Sequence, residues 1–414
     1  MDSETADDGT APAGEETLEE HVRLFSACYG AGAPPRLFFS PGRVNLFGGH
    51  LDYSGGPVMP AAIDRGTFIA VRQRADRRIR MASTLDERGL EFDLDDAPTE
   101  RLGRWVDYPL GVLVDLLVRR RVGGRDSELS GVEMLFGGNL PVGAGLSSSA
   151  SICVGTAFVL DRLWDLGLDA DDRVQSALRA ERGFVGVRCG IMDPYAVGLA
   201  RPGHVLWLDC KDATWEHLPL DFTRVSILVA DTGVKRELAT SEFNRRVEQC
   251  ARAFELLKPH VPAATCLRDI SAEVLLAHGS SLPEVLRRRA QHVVEEVQRT
   301  FQARRALEDG DLDTMGTLMT AAHGSLRDLY DVSCPELDAL VDAARGCEGA
   351  FGARLTGAGF GGCAVVLTRR GAEQVVIGRL TEVFRSRFGR APKIEVFGGD
   401  EGPRELQMPG SPGP

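Results

Sequence analysis

Three glycine-rich segments carry most of the side chains in this sequence that could do chemistry. The first, residues 40–60, places Arg43, His50 and Asp52 close together along the chain. A guanidinium, an imidazole and a carboxylate can each hydrogen-bond a hydroxyl group. A loop that brings these three groups together therefore favours a polyhydroxylated ligand.

The second segment, residues 139–150, follows a strand-like run and opens a helix-like one. Gly143 and Gly145 permit positive φ angles and a close approach of the backbone to a ligand. The serines that follow can cap the helix and leave its first N–H groups facing outward, at the positive end of the helix dipole. This pattern indicates an anion site, most naturally for phosphate. The plainer alternative is a serine-capped helix after a glycine-rich turn.

The third segment, residues 355–363, precedes a β-like run. Taken alone it indicates a flexible loop, and a hairpin or a turn that enters a strand explains it equally well.

Short strands and amphipathic helices alternate around these segments. Alternating or apolar runs predict strands at 36–39, 66–72, 132–136, 205–209, 225–230, 364–367 and 393–397. Helical periodicity predicts helices at 18–29, 105–119, 148–166, 172–184, 241–257, 282–307, 312–330 and 335–344. The mixture indicates an α+β or α/β class, and the polar stretch 211–221 favours a domain boundary near it.

Composition narrows the function class. The chain has 414 residues and a net charge of −12, which argues against sequence-independent binding to nucleic acid or to anionic membranes. Phosphate ligands stay possible, because backbone amides or a metal hold them locally. The 47 glycines exceed the roughly 29 of an average composition. An acidic start without an apolar stretch, and nine cysteines without metal-ligand spacing, predict a cytoplasmic protein without a zinc site.

The three segments together resemble the GHMP kinase family and, within it, the galactokinases. The resemblance rests on residues 42–53, 141–150 and 356–363, and further on 188–193, 241–250 and 330–338. It implies an α+β fold of two domains with the active site in the cleft between them. The expected division is a disordered acidic tail at 1–16, an N-terminal domain at 17–215, a C-terminal domain at 216–400 and a second tail at 401–414.

The resemblance also implies a reaction, the transfer of phosphate from ATP to the anomeric hydroxyl of a sugar. Asp193 would be the base and Arg43 would lie beside it, where a cation stabilises a carboxylate and the transferring phosphoryl group. Ser149 and Glu181 would hold Mg²⁺, which prefers oxygen ligands and phosphates. Without these motifs, Asp193 is explained as a surface or helix-capping residue. Glu181 is likewise explained as a solvated residue of a helix.

Binding residues follow from the same resemblance. The sugar would contact Arg43, Gly49, His50, Asp52, Gly190, Asp193 and Phe243. ATP would contact Trp105, Tyr108, Pro141, Gly143, Ala144, Gly145, Leu146, Ser147, Ser148, Ser149, Ala150, Gly357 and Gly359. Trp105 and Tyr108 are equally explained as one apolar helix face. The expected partners are the sugar and ATP alone, without nucleic acid or membrane, in a monomer or weak homo-oligomer.

Three positions depart from the family pattern. Gly49 replaces the acidic residue of the usual Gly-Glu-His, Phe243 replaces a tyrosine, and Pro194 replaces a glutamine. The first two lie where the family contacts the C6 end of the sugar. Loss of a carboxylate there relieves repulsion of an acidic substrate and removes an acceptor for a C6 hydroxyl. Galacturonate or glucuronate on the first ground, and L-arabinose on the second, are therefore alternatives to galactose. A non-catalytic sensor of sugar and ATP is the alternative of another class.

Overall fold

The computed structural model describes residues 15–122, 129–141, 145–187, 189–234 and 239–407. Its helices are α1 (Glu15–Tyr29), α2 (Asp107–Val122), α3 (Ser148–Trp164), α4 (Ala170–Arg179), α5 (Met192–Gly198), α6 (Ala239–Leu257), α7 (Ala272–His278), α8 (Glu284–Glu308), α9 (Leu312–Ser325), α10 (Pro335–Ala344) and α11 (Glu373–Phe388). Its strands are β1 (Arg36–Phe47), β2 (Pro57–Gln73), β3 (Arg78–Ser83), β4 (Leu90–Asp93), β5 (Val132–Gly138), β6 (His204–Asp209), β7 (Thr214–Pro219), β8 (Val225–Asp231), β9 (Ala350–Thr356), β10 (Cys363–Arg369), β11 (Lys393–Phe397) and β12 (Arg404–Leu406).

The described part of the chain contains two sheets. The larger has the order β12-β1-β2-β5-β3-β4, and β6 joins it at β2 and carries β7. Among the described strands of this sheet only β3 and β5 pair in parallel, and the described strands of the smaller sheet, β11-β8-β10-β9, are all antiparallel. Predominantly antiparallel sheets with helices packed on them define an α+β fold, which confirms the mixed class predicted from the sequence.

The two sheets share a core. Val44 and Leu46 of β1 pack in one apolar cluster with Val365 and Leu367 of β10. Burial of these side chains holds β1 against the hairpin of β9 and β10. The first and third glycine-rich segments, far apart in sequence, are therefore brought to the same place.

Each predicted strand lies within an observed one, but several elements differ from expectation. β1 continues to Phe47, so Arg43 lies on a strand instead of a loop. The predicted helix 172–184 divides into α4 and a π-helical turn, Ala180–Val185, which ends at Gly186 with a φ of 83°. The strand β9 and the helix α11 were not predicted at all. In the described ranges, no helix combines the length and the apolar character needed to cross a membrane.

The expected segment boundaries also shift. β7 pairs with β6, so the larger sheet continues past residue 215 to Pro219. α1 begins at Glu15, inside the expected tail 1–16. Within the other expected tail, 401–414, β12 pairs with the start of β1, and Arg36 forms an ion pair of 2.7 Å with Glu405. Pairing with β1 satisfies backbone groups of β12, which explains why this part of the segment is ordered.

Candidate active site

A cleft of about 1240 Å³ is lined by residues of both sheets and of all three glycine-rich segments. Asp193, in the first turn of α5, lines this cleft. Arg43 donates hydrogen bonds to the Asp193 carboxylate from Nε at 2.9 Å and from Nη2 at 2.8 Å, and the Ser147 hydroxyl donates a third. Since a carboxylate offers about four lone-pair sites, these three bonds leave about one for a further donor.

Arg43 also ties β1 to the second glycine-rich segment. Its Nη1 donates to the carbonyl of Gly145 at 2.6 Å, and its backbone N–H donates to the carbonyl of Leu146 at 3.0 Å. A Cβ on Gly42 would lie 2.5 Å from Leu140 Cδ1 and 2.8 Å from Leu146 O. Glycine at position 42 therefore lets this segment approach the strand that carries Arg43.

The start of α3 is arranged as an anion site. Gly145 and Ser147 have φ angles of 76° and 62°. Ser147 is the N-cap residue, but its side chain makes no capping bond. Of the serines that could cap the helix, the one at the N-cap position does not, because its hydroxyl is directed to Asp193 instead. The first amides of α3 thus lack a side-chain cap at the positive end of the helix dipole, where anions bind. Gly143 and Ala144 lie outside the described residues.

Glu181 lies in the π-helical turn and is almost fully buried. The Ser149 hydroxyl forms a hydrogen bond with its carboxylate, and burial raises the pKa of Glu181 to about 7. The two residues expected to hold Mg²⁺ are therefore adjacent, and a cation would offset the cost of burying this carboxylate. No group of three or more His, Cys, Asp or Glu in the described part of the chain could hold a metal. The pair suits an ion that completes its coordination with phosphates and water.

His50 is held in one orientation by neighbouring rings. Its Nδ1 lies 2.8 Å from the hydroxyl of Tyr53, which lies 2.7 Å from that of Tyr330. The Phe243 ring is 5.7 Å from the His50 ring. Burial, with contributions from His292 and Arg354, lowers the pKa of His50 to about 3. The imidazole is therefore neutral near pH 7, and its Nε2 makes no hydrogen bond of ordinary geometry to a described residue.

Asp52 depends on a glycine for its position. A Cβ on Gly190 would lie 1.7 Å from Asp52 Oδ2, so only glycine leaves room for this carboxylate. Burial, and then the charge of Asp193, raise the pKa of Asp52 to about 6. His50, Asp52, Gly190 and Phe243, the residues expected at the sugar, thus lie in one region of the structure.

The residues expected at ATP divide into two groups. Those that line the cleft are Tyr108, Pro141, Gly145, Leu146, Ser147, Ser148, Ser149 and Gly357. Trp105, Ala150 and Gly359 are not among its lining residues. Trp105 packs its ring 5.6 Å from Phe136 and donates to the Arg88 carbonyl. A Cβ on Gly359 would lie 2.2 Å from Val332 O, so this glycine lets the loop between β9 and β10 pack closely on the backbone of the segment before α10.

The sequence reasoning missed Arg354. This residue of β9 is almost fully buried and lines the cleft. A Cβ on Gly49 would lie 2.0 Å from its Nη2. The available signal was a lone arginine within the apolar run 350–356, directly before the third glycine-rich segment, since buried arginines are rare and need partners.

Comparison with known proteins agrees with this geometry. Three family models match, the "Galactokinase galactose-binding signature" at residues 23–73, the "GHMP kinases N terminal domain" at 108–201 and the "GHMP kinases C terminal" at 303–386. A galactokinase of Roseiflexus sp. is 42% identical over 371 residues, which cover 89% of this chain and 92% of the relative. The galactokinase of Bacillus subtilis is 38% identical over 94% of this chain and 99% of its own length.

Solved structures show the same likeness. Lactococcus lactis galactokinase complexed with galactose superposes with a TM-score of 0.87 at 33% identity, covering 94% of this chain and all of the other. A mevalonate kinase superposes with a TM-score of 0.66 at 20% identity, which shows a shared fold, over 88% of this chain and 98% of its own. The chain therefore belongs to the galactokinases of the GHMP kinase family and is a sugar 1-kinase of the galactokinase type.

Proposed function

We propose that the chain transfers the γ-phosphate of ATP to the anomeric hydroxyl of a monosaccharide, with Asp193 as the base. The ion pair of Arg43 and Asp193 carries this proposal. It contacts the anion site through the carbonyl of Gly145, and Asp193 is close enough to Asp52 to raise the pKa of that residue. Asp193, the proposed proton acceptor, thus lies near both the residues expected to bind phosphate and those expected to bind the sugar.

In this reaction the anomeric oxygen attacks the γ-phosphorus, and the bond from that phosphorus to the ADP oxygen breaks. The proton of the sugar hydroxyl passes to the Asp193 oxygen that keeps a lone pair. Arg43 holds the carboxylate in one orientation through two bonds. Its charge also stabilises the equatorial oxygens of the phosphoryl group as the group transfers.

ATP and Mg²⁺ are the expected cofactors, because enzymes of this family are kinases. The uncapped amides at the start of α3 would bind phosphate oxygens, and Tyr108 and Pro141 line the cleft where they could contact the adenine. Ser149 and Glu181 would hold Mg²⁺, which neutralises phosphate charge when bound. Trp105 packs on Phe136 outside the lining, so we assign the adenine contact to Tyr108.

The test is release of ADP by the purified chain with a sugar and Mg-ATP, with the product identified as a 1-phosphate by ³¹P NMR. We expect Asp193→Asn to lower kcat by about 10²–10⁴-fold, the usual contribution of a positioned base. Its ATP affinity and melting temperature serve as controls of folding. Equal turnover by the two proteins would remove Asp193 as the base.

A non-catalytic sensor is the alternative of another class. Arg43, Ser149, Glu181 and Asp193 are all present and adjacent in pairs, which favours an enzyme, since binding alone does not need them. The same assay separates the two, because a sensor would bind sugar and ATP without releasing ADP.

The identity of the sugar has two candidates. Galactose is favoured by the names of the relatives and by the galactose complex of the Lactococcus lactis enzyme. Galacturonate or glucuronate is favoured by Gly49, because a carboxylate ~4 Å from a C6 carboxylate would cost about 4 kcal/mol at an effective dielectric constant of ~20. L-arabinose is a further alternative, because Gly49 removes a hydrogen-bond acceptor for a C6 hydroxyl, which this pentose lacks. Comparison of kcat/KM for these four sugars decides between them.

A further inference from the structure

The guanidinium of Arg354 occupies the space where a side chain at position 49 would begin. A Cβ built on Gly49 would lie 2.0 Å from Arg354 Nη2 and 3.3 Å from its Cζ. Both residues line the cleft, as does the neighbouring His50. A cation thus lies at the point where the family pattern has a carboxylate.

Arg354 uses two of its three guanidinium nitrogens in contacts with the protein. Its Nε donates to the carbonyl of Leu355 and its Nη1 to the carbonyl of Leu46. The one carboxylate among its described partners is Glu296, at 3.2 Å from Nη1. Glu296 also pairs with Arg299 and accepts a bond from the Gly48 amide. Arg299 has a second partner in Glu295, 3.7 Å from its Nη2, so Glu296 is shared by two arginines but is the one carboxylate that contacts Arg354 among the described residues.

The remaining nitrogen of the guanidinium, Nη2, lies beside Gly49 at the wall of the cleft. Within the described ranges, no residue accepts a hydrogen bond from Nη2 of Arg354. The adjacent imidazoles bring no negative charge, and burial lowers the pKa of both His50 and His292 to about 3. Glu296 pairs with Nη1 and leaves Nη2 without an acceptor among the described residues, so an anionic group of the substrate at this corner of the cleft would add a charge-assisted hydrogen bond.

We propose that Arg354 binds the C6 carboxylate of a hexuronic acid through Nη2, and that this contact makes D-galacturonate the preferred substrate. The inference rests on the sugar 1-kinase function proposed above and deepens it. At position 49 glycine places no side chain against Nη2, where a glutamate would pair with it. Galacturonate is chosen over glucuronate because it matches galactose, the sugar bound by the Lactococcus lactis relative, at every carbon but C6.

A neutral C6 hydroxyl could also accept a bond from Nη2, but it would bring no charge to that bond. A carboxylate supplies both the acceptor and the charge, and bonds between two charged groups are the stronger ones. L-arabinose lacks the C6 group and would leave Nη2 without a partner. The structure therefore orders the substrates as hexuronate, then galactose, then L-arabinose.

The experiment measures kcat and KM of the full chain for D-galacturonate, D-glucuronate, D-galactose and L-arabinose. We expect kcat/KM for galacturonate to exceed that for galactose at least tenfold. The matched variants are Gly49→Glu and Gly49→Gln, which add the same bulk with and without a charge. Gly49→Glu should lower kcat/KM for galacturonate at least tenfold more than Gly49→Gln does, mainly through KM, while the two variants differ little on galactose.

Arg354 is tested directly by Arg354→Lys, which keeps the charge, and Arg354→Met, which removes it. Arg379→Met removes an exposed arginine of α11 as the control. Arg354→Met removes one of the two arginines that pair with Glu296 and can impair folding. The two Gly49 variants therefore serve as the independent test. The proposal is supported if Arg354→Met raises the KM for galacturonate more than the KM for galactose. It also requires that the KM for galacturonate in Arg354→Lys lie between the values for Arg354→Met and the unmodified chain.

Failure of this proposal is distinguishable from failure of the kinase function. A tenfold preference for galactose in the unmodified chain overturns the role of Arg354 and leaves the kinase function intact. If no sugar is phosphorylated, calorimetric binding of galacturonate and galactose without ATP decides. The Arg354 contact is supported if galacturonate binds more tightly than galactose and if this difference is lost in Gly49→Glu but kept in Gly49→Gln. Equal binding of the two sugars overturns it.

Discussion

Arg43 and Asp193 form a two-pronged ion pair in which Nε and Nη2 of the guanidinium each reach a carboxylate oxygen, at 2.9 and 2.8 Å. The third nitrogen, Nη1, bonds to the carbonyl of Gly145. A single side chain therefore sets the position of the candidate base relative to the candidate phosphate site. The planar fork of arginine makes this possible, whereas lysine presents one point charge.

Arg43→Lys should lower kcat at least tenfold, because lysine cannot keep both bonds to Asp193 and the bond to Gly145 at once. The measurement is steady-state kinetics at saturating sugar and ATP. Arg36→Lys is the matched control, since Arg36 forms a similar two-pronged pair with Glu405 that is about 42% exposed and remote from the cleft. An equal loss in both variants would contradict the role of Arg43.

Gly190→Ala should raise the KM for the sugar at least tenfold and leave the KM for ATP unchanged. The added Cβ would lie 1.7 Å from Asp52 Oδ2, so the carboxylate must leave its position. Kinetics with each substrate varied in turn separate the two constants. Gly378→Ala, in α11 with no atom within 4 Å of its Cβ, should change neither constant.

Asp52→Asn should stabilise the ligand-free protein at pH 7–8. The pKa of Asp52 rises in the folded state from 3.8 to about 6, so folding disfavours its ionised form. The resulting penalty is absent below pH 4, grows between pH 4 and 6, and is complete above pH 6. Its full size is about 3 kcal/mol at 1.36 kcal/mol per pH unit. Urea unfolding from pH 4 to 8 measures it, and a stability difference that does not grow with pH would argue against this effect.

Glu181→Gln should raise the Mg²⁺ concentration needed for half-maximal activity about tenfold, the effect of one weakened ligand. The measurement is a Mg²⁺ titration at constant ATP, with the KM for the sugar as an internal reference. Glu382→Gln, at a position 72% exposed on α11, serves as the control for loss of one negative charge. An unchanged Mg²⁺ requirement would show that the ion is held elsewhere.

The sequence by itself determined the local features of this protein. All seven predicted strands and the order of the motifs were recoverable, because alternation of apolar residues and clusters of glycine reflect interactions between near neighbours. The pairing of Arg43 with Asp193 followed from the family resemblance. The ends of the elements were predicted less well, because they depend on contacts that a local pattern does not contain. The extension of β1 to Phe47, for example, depends on its pairing with β2.

Tertiary structure decided the contacts between distant segments. Packing of β1 against β10 brings Arg354 to Gly49, pairing with β1 orders β12, and close packing on Val332 accounts for Gly359. None of these contacts leaves a periodic trace in the sequence, because each depends on which surfaces the folded core brings together. The substitution at Gly49 was visible in the sequence, but the cation that lies beside it emerged only when the two sheets were assembled.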